Sequence, residues 1–275
     1  LNKRMLDGTT KRLVSRHVDN PMLYTDDGKI TPFGESYMGK LNALTGVRKL
    51  RLLKGLWAAA EGIVYEDSWN VDVNIIPNFP IPGEWPRFLC IDFGYVNPFV
   101  CQWWAMDPDG RLYLYREIYM TKRLVTQHGQ TIIDVSRWGQ DGGDPLPYDV
   151  IADHDAEDRA SLEDFFRTKG YNLNTTAAVK SVSNGIQAVA NRLMKQLDGK
   201  PRLMIFESTL VERDESLAAD GLPFSTAQEV ESYIWNTAKD APVKKFDHGM
   251  DCARYQIAYF DLEPSDVTYS RNPWR

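Results

Sequence analysis

Residues Phe88-Leu89-Cys90-Ile91 are apolar at every position, and the run ends in an acid, Asp92, followed by Phe93-Gly94. A strand with one wet face alternates apolar and polar side chains. One that does not alternate is buried on both faces, so its sheet needs helices above and below. An aspartate ending such a strand is costly to desolvate unless positive charge lies beside it. Acids recur at element ends downstream: Asp153 follows Val150-Ile151-Ala152, and Asp251 lies within His248-Gly249-Met250-Asp251-Cys252-Ala253-Arg254-Tyr255. That pattern points to a divalent metal ion.

Turn signals organise the rest. Residues 77–86 carry four prolines and a glycine, cannot sustain a helix or central strand, and read as a linker closing a first segment. Before them, residues 33–45 and 47–60 have helical patterns, with Leu50, Leu53 and Trp57 on one face. After them, residues 87–92 and 99–106 read as strands, and Asp107-Pro108-Asp109-Gly110 turns into a third over 111–120. Strands joined by short turns make an antiparallel meander. The order then alternates: helix 124–138, strand 148–152, helix 161–168, strand 173–179, an amphipathic helix over Val182, Ile186, Val189, Leu193 and Leu197, and strand 202–206. Residues 209–223 read as a mobile charged loop. Thr226-Ala227-Gln228-Glu229 matches a capping box opening a helix through Asn236, and residues 249–262 form the last helix. A meander followed by βα alternation gives an α/β fold, a mixed sheet flanked by helices.

The 275 residues carry a net charge of −6, unevenly distributed. Residues 1–60 hold eleven Lys and Arg against five Asp and Glu, a net +6, leaving −12 for residues 61–275. The basic segment either touches phosphates or is simply a solvated helical linker. Cys90, Cys101 and Cys252 are odd in number, lack CxxC spacing and sit in apolar stretches, which suits buried thiols rather than zinc or disulfides. No long apolar run or signal-peptide pattern occurs, so the chain is expected in the cytoplasm.

Several ordered motifs together resemble the nuclease domain of the large terminase subunit of tailed double-stranded DNA bacteriophages. They are Asp92-Phe93-Gly94 with Asn97-Pro98, Asp109-Gly110-Arg111-Leu112-Tyr113, Tyr115-Arg116-Glu117-Ile118-Tyr119, Ala152-Asp153, Ser183-Asn184-Gly185-Ile186, and residues 247–255. Residues 20–57 and Glu61-Gly62-Ile63-Val64-Tyr65 resemble the stretch joining that family's ATPase to its nuclease. The resemblance implies a ribonuclease H-like sheet over 81–275, preceded by a mainly helical linker or motor tail over 1–80. It implies an endonuclease that cuts concatemeric viral double-stranded DNA during packaging in the infected host's cytoplasm. The expected partners are double-stranded DNA, the ATPase domain of the same subunit, the small terminase subunit and the portal protein. The glycine-rich phosphate loop GxxxxGK[ST] does not occur, so no ATP hydrolysis is expected of this chain alone.

The implied chemistry is phosphodiester hydrolysis by two divalent ions, magnesium or manganese. Two ions about 3.5–4 Å apart stabilise both the attacking and the leaving oxygen, and such hard ions take oxygen ligands. By resemblance Asp92 bridges both ions, a second acid holds one, and Asp251 the other. Asp92 could alternatively be a turn acid, and Asp251 could merely pair with Arg254. Asp153 and Asp155 compete for the second place, Asp153 by its strand-end position and Asp155 as a possible helix cap. His248, three residues before Asp251, shares its helical face and is a candidate to bind metal water, move a proton, orient phosphate or simply begin the helix. Asp247 reads as an N-cap, and Glu117 is an acid of open role. Lys180, Arg192, Lys195, Lys244 and Lys245 are the candidate DNA-phosphate contacts. Two rivals stay open: a resolvase-like or ribonuclease H-like enzyme on another nucleic acid, and a catalytically silent docking module of the motor.

Overall fold

The computed structural model describes residues 15–42, 53, 62–236 and 241–262. It divides into two compact units, Leu1–Ala59 and Ala60–Arg275. In the first, a 3-10 turn at His17–Asp19 precedes helix α1, Pro32–Asn42. Proline at the first helical position sacrifices an N–H that has no helical partner there, and Thr31 Oγ1 accepts from the Gly34 N–H at 2.9 Å. The helix expected over 47–60 lies outside the described residues, Leu53 excepted, which is a turn residue.

The second unit begins ahead of the proline run. Residues 62–76, expected in the linker, contribute a short helix α2 (Val71–Asn74) and a strand β1 (Ile75–Ile76) to the domain. The strands that follow are β2 (Arg87–Asp92), β3 (Phe99–Met106), β4 (Leu112–Met120), β5 (Asp149–Ala152), β6 (Thr175–Ala177) and β7 (Leu203–Phe206). They form one mixed seven-stranded sheet in the order β1-β7-β4-β3-β2-β5-β6. β2, β3 and β4 are the antiparallel meander, with a bulge at Trp103/Trp104. β5, β6, β7 and β1 add in parallel. The proline run itself is irregular but packed: Phe79, Ile81 and Trp85 lie against the core, and the Arg87 guanidinium donates to the carbonyls of Trp85 and Pro82 at 2.5 and 2.9 Å.

Both sheet faces are covered, as the non-alternating strands require. Odd and even positions of β2 feed different cores: Phe88 and Cys90 join one, Leu89 and Ile91 the other. The first core is closed by helices α5 (Val182–Leu193), α7 (Thr226–Val230) and α8 (His248–Asp261). The second is closed by α3 (Val125–Ser136) and α4 (Ala156–Thr168). α4 starts five residues earlier than its apolar pattern indicates, because Asp155 caps it by accepting from the Glu157 and Asp158 N–H groups at 3.1 Å. The charged loop over 209–223 contains a short helix, α6 (Glu215–Ala219), capped by Asp214. The three cysteines are buried free thiols. Among the described residues no helix is long and apolar enough to cross a membrane.

His128 in α3 is a cost built into the second core. It is 1% exposed, its ring stacks on Phe99 with centroids 3.8 Å apart, and neither ring nitrogen has a hydrogen-bond partner. Burial, with a smaller contribution from Arg123, pushes its pKa down to about 4. The unfolded chain therefore binds this proton more readily than the folded one. Stability from this site is present above about pH 6.5 and is lost as pH falls toward 4. His128→Phe is expected to recover roughly 2–3 kcal/mol at pH 4 and to change little at pH 8, read from urea unfolding at the two pH values. An equal effect at both would show that the imidazole takes up its proton as readily in the fold as in the unfolded chain.

Candidate metal centre

Sheet register brings the first two acids together. β2 and β5 run parallel with Ile91 opposite Ala152, so Asp92 and Asp153 leave neighbouring strands at the same edge. The Asp153 N–H continues the ladder onto the Ile91 carbonyl at 3.0 Å. α8 crosses above this edge and supplies His248 and Asp251. It is tied down by Cys90 Sγ donating to the Cys252 carbonyl at 3.0 Å and by Gln102 Nε2 donating to the Gly249 carbonyl at 2.8 Å. Asp92, Asp153, His248 and Asp251 line one open pocket of about 530 Å³, together with Lys180, Lys244, Lys245 and Tyr255.

The pocket concentrates negative charge. Asp92 is 7% exposed, and burial, helped by the neighbouring Asp251 and Asp153, lifts its pKa to about 6 against the pull of His248. His248 Nδ1 lies 2.9 Å from Asp92 Oδ2. Burial works against a charged imidazole, but the bond and charge of Asp92 outweigh it, so the His248 pKa is raised. Burial likewise disfavours ionised Asp153, yet Lys180 and the His154 N–H overcome it and hold that pKa low. The phenol of Tyr255 is raised by burial and by all three acids, which places it within the field of each.

Asp153 and Asp251 are each held by a cation of the chain itself, whereas Asp92 has the His248 imidazole. Lys180 Nζ lies 2.5 Å from Asp153 Oδ1, and Lys244 Nζ lies 3.0 Å from Asp251 Oδ2. Arg254 Nη2 is 2.9 Å from Asp251 Oδ1, at an angle that leaves this buried oxygen without a hydrogen bond. Arg254 is itself 2% exposed, with its stem against Gly185, where any Cβ would come within 2.6 Å. Among the described residues no three His, Cys, Asp or Glu side chains stand as a ready-made ligand set. The donors are nonetheless the hard oxygens a magnesium or manganese ion takes, and the unsatisfied Asp251 Oδ1 is an acceptor with capacity to spare, so the residues fit such an ion.

Other sequence-derived candidates lie elsewhere. Asp155 caps α4 and does not line the pocket. Arg192, read as a phosphate contact, donates to Asp261 through Nε and Nη2, both at 2.7 Å, and to the Gly110 carbonyl. That pairing occupies its fork. Lys195 is exposed and outside the pocket. Glu117 is 0% exposed and accepts from Thr209 Oγ1 at 2.7 Å and Thr226 Oγ1 at 2.6 Å, a structural acid behind the site.

The start of α8 holds a residue that sequence reading assigned differently. Asp247 stands at the N-cap position but makes no capping bond, and pairs with Lys244 instead. The third N–H of the helix, that of Met250, donates at 2.9 Å to Glu229 Oε2 from α7. Glu229 also accepts from the Tyr119 hydroxyl. It does not serve the capping box read over 226–229, because Ser225 caps α7, which ends at Val230 rather than Asn236. Gly249 makes this approach possible: a Cβ there would stand 2.5 Å from Thr226 Oγ1 and 2.8 Å from Glu229 Oε2.

The mixed seven-stranded sheet flanked by helices is a fold that this chain shares with solved large-terminase structures. No protein-family model and no curated protein matches the sequence. Among solved structures, the large terminase of a thermophilic bacteriophage is similar over 86% of this chain and 54% of its own, with 23% identity and a TM-score of 0.55. The ADP complex of the same terminase aligns with a TM-score of 0.56. The nuclease domain of the P22 large terminase is similar over 71% of this chain and 90% of its own, with 17% identity and a TM-score of 0.51. The chain thus spans about half the length of the thermophilic phage's terminase.

Proposed function

We propose that this chain is a metal-dependent endonuclease, cutting concatemeric viral double-stranded DNA during genome packaging. The observation that carries the reading is the convergence of three carboxylates, from the end of β2, the end of β5 and the first turn of α8, on one open pocket rimmed by lysines. In this reading Asp92, Asp153 and Asp251 hold two magnesium or manganese ions. Bound there, the ions supply Lewis-acid stabilisation of the attacking and leaving phosphodiester oxygens. His248 is oriented by its Nδ1 contact with Asp92, which leaves Nε2 as the atom to take or return a proton. Lys180, Lys244 and Lys245 set positive charge around the acids, where a phosphate chain lies. The ATPase domain, the small terminase subunit and the portal are the proposed partners, and the host cytoplasm is the proposed place of action.

The test is cleavage of supercoiled plasmid: nicked and linear products with manganese or magnesium, none with EDTA. The silent docking module is the rival with an observation in its favour, namely that Asp153 and Asp251 already have a cation from the chain. Lack of manganese binding by calorimetry, together with no cutting, would select it.

The second acid gives a sharper check. Asp153→Asn is expected to lower cutting about a hundredfold or more, whereas Asp155→Asn should leave it within about twofold, because asparagine caps a helix as well as aspartate does. The reverse order would transfer the metal site to the start of α4.

A further inference from the structure

Two of the acids in the pocket are each matched to one lysine on a flexible stem. Lys180 follows β6 and reaches Asp153; Lys244 precedes α8 and reaches both Asp251, at 3.0 Å, and Asp247, at 3.3 Å. In each pair the lysine is the more exposed partner: 74% against 9% for Lys244 and Asp251, and 46% against 23% for Lys180 and Asp153. An ammonium exposed to this degree is weakly held and gives up its place easily. A divalent ion seeking the same oxygens brings twice the charge. Arg192 shows the contrasting case, a guanidinium fixed by two bonds to Asp261 and unable to serve in exchange.

We propose that Lys180 and Lys244 are exchangeable counter-ions: a divalent cation displaces them from Asp153 and Asp251, and the released ammoniums bind DNA phosphate. This rests on the nuclease reading above and adds its regulation, since DNA is then gripped firmly only by a metal-loaded site. Without metal the lysines neutralise the acids and offer little charge to a polyanion. With metal they become two more phosphate contacts on a domain whose net charge otherwise repels DNA.

The test uses the full chain and two readouts besides cutting. By calorimetry, Lys180→Met and Lys244→Met should each bind manganese about three- to tenfold more tightly than the unsubstituted chain, because a competing cation is gone. Lys195→Met, outside the pocket, should not change it. By fluorescence anisotropy with a short duplex, the double variant K180M/K244M should lose several-fold in calcium, where two phosphate contacts go, and distinctly less in EDTA, where the loss comes only from unmasking Asp153 and Asp251. Manganese affinity that is unchanged or reduced in the lysine variants, or a loss of DNA binding equal with and without cation, overturns the exchange while leaving the nuclease reading intact. Absence of manganese binding by the unsubstituted chain defeats the metal reading itself, and the exchange with it.

Discussion

Asp92→Asn is expected to abolish metal-dependent plasmid cutting, a loss on the order of 10³-fold, without weakening the fold. Asp92 is buried beside two other carboxylates, and its pKa of about 6 records that its charge is disfavoured there. A group whose folded pKa is raised stabilises most below its unfolded pKa, here about 3.8, and that contribution is lost as pH rises through about 6. At pH 8 the neutral amide should therefore be tolerated, and the unfolding midpoint should hold steady or rise. Asp251→Ala is expected to lose cutting equally, but for two reasons at once. Asp251 faces the buried guanidinium of Arg254 at 2.9 Å, and removing it leaves that charge without its carboxylate, at a cost of about 3–5 kcal/mol. Urea denaturation separates the cases: a folded, inactive Asp92→Asn beside a destabilised Asp251→Ala. Full cutting by Asp92→Asn would remove the site from this pocket.

The parts of this fold that are legible in the sequence are those where a local pattern and its tertiary setting agree. The unbroken apolar run of β2 announces burial on both faces, Asp107 to Gly110 announces the turn between β3 and β4, and the stripe beginning at Val182 announces α5. That helix ends at Leu193, however, and Leu197, read on the same face, is exposed beyond it. Asp92, Asp153 and Asp251 stand out as candidates because each acid at an element end contrasts with apolar neighbours, and the fold sets the three around one pocket. What fails is what depends on a distant partner. β1 is two residues long and exists through parallel pairing with β7, far along the chain, which no window around Ile75 reveals. Arg192 reads as a free cation because Asp261 lies 69 residues away. Glu229 has the spacing of a capping box, but spacing does not say that Ser225 takes the cap and the carboxylate turns inward. Tyr255 belongs to a motif on α8, yet only the helix crossing shows that it faces all three acids.

Glu229→Leu is expected to be the most damaging substitution outside the acids of the pocket. The carboxylate is fully buried and receives the Met250 N–H and the Tyr119 hydroxyl, so an apolar side chain strands two buried donors at about 1–3 kcal/mol each. The damage falls on the first turn of α8, which carries His248 and Asp251. Cutting should therefore decline along with stability, on the order of a hundredfold if the acids shift by about 1 Å. Glu229→Gln separates shape from charge. Its amide oxygen still accepts from Met250, and the Tyr119 hydroxyl is able to rotate to accept from the amide nitrogen, so the helix start keeps its place. Burial lifts the Glu229 pKa to about 8, against the opposing bonds from Tyr119 and Met250. The native acid thus contributes stability that is complete below its unfolded pKa of about 4.5 and is lost as pH climbs through about 8. Unfolding of Glu229→Gln followed from pH 5 to 9 should show that alkaline decline flattened, while Glu229→Leu stays destabilised throughout. A variant carrying Gln that declines as steeply as the native chain would mean that Glu229 is already ionised in the fold, and that α8 begins on a buried charge rather than a buried acid.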